Sequence, residues 1–95
     1  MFGDLGTLFS KATEQVSVDL NGDMAILNLN TKTYFGLADV GAFIWQKLDS
    51  PTDLAKLTQA VVDEFEVESE QCRADVTVFL ENLASLGLLK ISART

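Results

Sequence analysis

The chain has 95 residues, 47% of them apolar, which is a length for one domain and a composition for one packed core. Its 14 acidic and 7 basic residues give a formal net charge of −7, which repels phosphate backbones and anionic lipid head groups and favours a neutral or basic peptide or protein partner. The single cysteine excludes an internal disulfide, and the lack of histidine removes the commonest general base and metal ligand, so composition favours binding over catalysis.

Residues 1–14 read as an N-terminal arm. Phe2, Leu5 and Phe9 stand at helical spacing, but Gly3 and Gly6 weaken any helix there. Two readings stay open for this stretch: a mobile arm or short turn lying on the domain, and a contact with a partner.

The domain proper is expected over 15–92. Val16-Ser17-Val18-Asp19-Leu20 alternates apolar and polar as a half-buried strand does. Asn21-Gly22 suits a type I′ turn, and Met24–Leu29 returns as a second strand, making a hairpin. Asn30-Thr31-Lys32 is a polar break, after which Thr33-Tyr34-Phe35-Gly36-Leu37 reads as a third strand and a free edge of the sheet.

The period then becomes helical. Val40, Ile44 and Leu48, flanked by Phe43, mark a first helix that stops near Asp49, ahead of the only proline, Pro51. Thr52 is the expected cap of a second helix whose apolar face is Leu54, Leu57, Val61 and Phe65. A third helix begins at Glu68 or Ser69 and carries Val76, Phe79, Leu80, Leu83 and Leu86, with Gly87 just past its end. Leu88–Ile91 is a short strand or an extended tail that could rejoin the sheet, and 93–95 is a tail. The fold class is therefore α+β: a three-stranded antiparallel sheet followed by three helices, an order like that of a winged helix-turn-helix.

Chemistry-bearing residues are few. Neither phosphate-cradling glycine motif occurs, no zinc site of ordinary ligands can be built, and nothing calls for a cofactor. Cys72 sits near a helix start, which lowers a thiol pKa, but Glu68 and Glu70 oppose that, and a structural cysteine is the favoured reading. Asp63, Glu64, Glu66, Glu68 and Glu70 read as a solvated acidic edge that could also steer a basic partner. Trp45 either packs beneath the sheet or lines a pocket. Tyr34 and Phe35 point to opposite sides of their strand. An exposed aromatic beside an unpaired edge offers a dock for an extended peptide, with the third helix as its wall. Val76, Val78 and Phe79 widen that helix's apolar face, to serve either the core or a groove.

The run Leu27–Leu37, the helix Val40-Gly41-Ala42-Phe43-Ile44-Trp45-Gln46-Lys47-Leu48 and the closing Gly87-Leu88-Leu89 together resemble the PqqD family, over roughly residues 16–91. The resemblance implies a recognition element for ribosomally synthesised and modified peptides. Such elements bind the leader segment of a precursor by strand addition and present it to a modifying enzyme, a radical SAM maturase or a leader peptidase. Carried over by position, the docking strand is Thr33, Tyr34, Phe35 and Gly36, and the helical wall is Asp75, Val76, Phe79 and Leu83. Three positions depart from the family pattern: Ala38 for a capping asparagine, Lys32 for a turn glycine and Phe43 for an arginine. The last two bear on peptide preference. The strand region looks closer to stand-alone lasso-type and radical-SAM-associated members than to the PQQ-pathway protein.

Two rival readings have a distinct signature each. A winged-helix DNA-binding regulator fits the element order but not the charge. A cryptic enzyme would turn over substrate unaided. Pairing of free edges would give a homodimer. Without a long apolar run or a basic N-terminal segment, the expected location is the cytoplasm.

Overall fold

The computed structural model describes residues 6–93. Strands β1 (Thr7–Lys11), β2 (Gln15–Leu20), β3 (Asp23–Asn28) and β4 (Thr33–Leu37) precede helices α1 (Asp39–Lys47), α2 (Leu54–Phe65) and α3 (Ser69–Ser85), and β5 (Leu89–Ala93) closes the order. The class is α+β, with a three-stranded antiparallel sheet in the order β2-β3-β4 and a separate two-stranded sheet of β1 and β5.

The β2–β3 hairpin forms as its turn chemistry requires. Leu20 pairs with Asp23, and Asn21 and Gly22 take φ of 60° and 99°. The Asp19 carboxylate accepts the Gly22 N–H at 2.9 Å and pins the turn. The β3–β4 connection, 29–32, is organised from inside by Asn28, which is 3% exposed. Its side-chain oxygen accepts the N–H groups of Asn30 and Thr31, at 2.9 and 3.2 Å. Lys32 then stands at φ 62°, the left-handed region that favours glycine.

α1 buries Ala42, Ile44 and Trp45, with Leu48 just past its end. Trp45 is fully buried beneath the Lys11 ammonium, which lies 5.0 Å from its ring centroid, so it belongs to the core and not to a pocket wall. That lysine also pairs with Asp49. α2 is capped by Asp53, whose carboxylate accepts the Lys56 N–H at 2.8 Å. The expected cap, Thr52, is displaced by one position because its backbone is committed elsewhere. It exchanges hydrogen bonds of 2.7 and 2.9 Å with Phe9.

Glu68 caps α3. The helix closes with Gly87 at φ 74°, its N–H donating to Ala84 O, while the Leu88 N–H donates to Leu83 O. This reversal sends β5 back along β1. The stretch set apart as an N-terminal arm therefore includes a paired strand, with Phe9 fully buried. Leu88–Ile91 leads into a strand, as one of the two open readings had it, but that strand joins β1 and not the three-stranded sheet. Phe2 and Leu5 lie outside the described residues. The core gathers Phe9, Met24, Ile26, Trp45, Leu57, Leu80 and Leu88 from every layer. Among the described residues, no helix is long and apolar enough to cross a membrane.

Candidate functional site

Among the described residues, β4 is the outer strand of its sheet, paired on one side only, by β3. Its side chains alternate as a pleated edge demands. Phe35 is half-buried and packs against the core, while Tyr34 is 75% exposed. Thr33 and Gly36 are exposed as well. The free main-chain edge thus stands open beside an exposed aromatic ring.

Next to this edge lies a cleft of about 380 Å³. Val40, Gly41 and Ile44 of α1 form one wall, Val61 of α2 lies at the base, and Asp75, Val76 and Phe79 of α3 form the opposite wall. Gly41 is where the strand edge and the cleft meet. A Cβ there would lie 3.3 Å from Phe79 Cε1 and 3.7 Å from Leu37 Cδ2, so only glycine lets α1, α3 and the end of β4 come this close without a shift.

Of the predicted wall residues, Asp75, Val76 and Phe79 line the cleft together. Leu83 does not: it is 3% exposed and belongs to the core. Val78, expected to serve either the core or a groove, is exposed and does neither. None of the predicted docking-strand residues Thr33–Gly36 lines the cleft, and β4 approaches it only at Leu37, beside Gly41. The α1 and α2 contributions, and Glu68 and Gln71 at the start of α3, are not legible in the sequence as parts of a site. Each is spaced as core or as solvated helix surface, and only the packing angle of the helices exposes them to a shared space.

The electrostatics of the α3 wall are set by its carboxylates. The Glu68 side chain accepts the N–H groups of Glu70 and Gln71, at 2.7 and 3.0 Å, and these bonds hold its pKa below the usual carboxylate range. Cys72 behaves oppositely. Burial first, then the negative charges of Asp75 and Glu68, push its thiol pKa up. The protonated thiol lies 3.8 Å from Thr58 O and donates to it. Cys72 is thus a buried packing residue at the cleft and no activated nucleophile. Among the described residues, no cluster of His, Cys, Asp or Glu gathers as a metal ion would need. An apolar cleft beside an open strand edge can hold an extended peptide and the side chains that hang from it.

The family model described as coenzyme PQQ synthesis protein D (PqqD) matches residues 23–89. The chain belongs to the PqqD family. Among solved structures, this PqqD-family chain is similar to TbiB1 in complex with the TbiA(beta) leader peptide. The identity is 31%, over 85% of this chain and 94% of that one, with a TM-score of 0.81. It shares its fold with lasso peptide synthetase B1 complexed with the leader peptide, at 24% identity, 86% and 96% coverage and a TM-score of 0.77. No curated protein matches the chain. The PqqD-family match begins at the first residue of β3 and ends at the first of β5, so it contains β4, the cleft and all three helices.

Proposed function

We propose that this chain binds the leader segment of a ribosomally made precursor peptide as an added strand along β4. It then presents the rest of that peptide to a modifying enzyme, a radical SAM maturase or a leader peptidase. One observation carries the reading: an unpaired strand edge, Thr33–Leu37, opens beside an apolar cleft walled by α3. Main-chain hydrogen bonds of about 0.5–1.5 kcal/mol each, with apolar anchors, offset the ordering of the leader. Tethering raises the local concentration of the core peptide at the enzyme. That two similar chains are described in complex with leader peptides supports the same use of this fold here.

In this reading the chain is an adaptor, and the chemistry belongs to its partner. The docking residues are Thr33, Tyr34, Phe35 and Gly36 on the strand and Asp75, Val76 and Phe79 on the wall, with Leu83 supporting the wall from the core. The sheet and helices then form a winged helix-turn-helix variant put to peptide binding, and the net charge of −7 disfavours DNA. The free thiol of Cys72 is in keeping with a cytoplasmic setting.

The test is titration of the labelled protein with precursor peptides encoded beside its gene. The Thr33–Leu37 amides and those lining α3 are expected to shift together and to saturate. No shift with any neighbouring precursor would overturn the proposal.

A further inference from the structure

The cleft is apolar within and acidic at its rim. Ile44, Val61 and Val76 are each no more than 3% exposed, whereas Glu68, Gln71 and Asp75 are exposed at its mouth. Both rim carboxylates are held in place. Glu68 is anchored on the α3 N-terminal N–H groups, and Asp75 accepts the Gln71 side-chain amide at 2.9 Å. Neither forms a salt bridge among the described residues, whereas Lys11 and Asp49 pair away from the cleft.

Glu68 caps α3 and Asp75 lies within it seven positions on, and both line the cleft, about 10 Å apart along the helix axis. An extended peptide covers that distance in about three residues. One apolar side chain entering the cleft would therefore have its near neighbours under the two carboxylates. The raised thiol pKa of Cys72, traced in part to these two charges, is consistent with a negative field reaching the cleft floor.

We propose that the cleft selects a large apolar side chain of the bound peptide that has Lys or Arg within two positions, the cation meeting Glu68 and Asp75. This rests on the reading of the chain as a strand-adding peptide binder, and it names what that binder prefers. The charge of the rim is complementary to such a peptide, and the net charge of −7 steers it inward from a distance.

The experiment is selection of a display library of random short peptides on the wild type, on Asp75→Asn and Glu68→Gln, and on Glu81→Gln as an acidic-to-neutral control outside the cleft. Asp75→Asn can keep the hydrogen bond from Gln71. The wild-type and Glu81→Gln pools are expected to be enriched in Lys or Arg beside a large apolar residue. A selected basic peptide is expected to bind Asp75→Asn about fivefold more weakly, the worth of an exposed ion pair. Enriched peptides that shift the Thr33–Leu37 amides but show no basic preference would overturn this inference and leave the peptide-binding reading standing. A basic preference that survives in both rim variants would do the same. Failure to enrich any peptide would overturn both.

Discussion

The side-chain amide of Asn28, at the end of β3, donates to the carbonyl oxygen of Leu86, the cap of α3, at 2.9 Å. With its oxygen holding the 29–32 turn, this one buried side chain ties the base of β4 to the end of α3. Gly87 leaves room for it, since a Cβ there would come within 3.1 Å of Asn28 Nδ2. Asn28→Ala strands the Leu86 carbonyl and two turn N–H groups, and is expected to cost about 2 kcal/mol. Urea unfolding reads the loss, and an unchanged midpoint would show the bonds to be dispensable.

Lys32 offers the opposite change. Its φ of 62° costs an ordinary residue about 1 kcal/mol that glycine does not incur. Lys32→Gly is expected to raise the unfolding free energy by up to about 1 kcal/mol, with the β4 amide shifts in place. A destabilised variant would mean that the lysine makes a compensating contact.

Gly41 and Phe79 meet where the end of β4 adjoins the cleft. Gly41→Val fills the junction between the strand edge and the cleft. Phe79→Asp puts a charge into the apolar lining of the cleft. Each is expected to weaken leader affinity at least about tenfold, or 1.4 kcal/mol, by calorimetry on folded protein. Full affinity in both would remove the cleft from the binding site.

Glu68 makes α3 sensitive to acid. Its folded-state pKa is depressed by the hydrogen bonds from Glu70 and Gln71. Its contribution is therefore present above the ordinary carboxylate pKa and lost as pH falls through the lower folded value. Glu68→Gln is expected to be less stable than the wild type at neutral pH and to converge with it in acid. Parallel stability curves across that range would contradict the capping role.

Cys72 is 4% exposed, with its thiol pKa pushed up by burial and nearby carboxylates. A disulfide exchange reagent at neutral pH is expected to modify it only at the rate of local or global unfolding. Rapid modification of the native protein would mean that the cleft opens far wider than its packing indicates.

Local chemistry made much of this molecule legible in the sequence. Asn21-Gly22 dictates its turn by positive φ, Tyr34 and Phe35 must face opposite ways, and Gly87 closes α3 because it alone avoids the Cβ penalty there. The helical stripes place Leu57, Val61, Val76 and Leu80 inward by period alone. Net charge and the lack of histidine already favour binding over catalysis, whatever the fold.

What tertiary structure decided is whatever depends on distant partners. β1 has no strand period of its own and exists because β5 and the backbone of Thr52 meet it, which also moves the α2 cap to Asp53. Asn28 looks like one more polar residue until Leu86 is folded against it. The cleft joins residues of three helices whose spacing marks them singly as core or surface, so its walls and acidic rim follow from helix packing. The sequence by itself determined the β4 strand and the opposed facing of Tyr34 and Phe35 on it. The cleft beside that edge arises only where α1 and α3 face one another across Gly41 and Phe79.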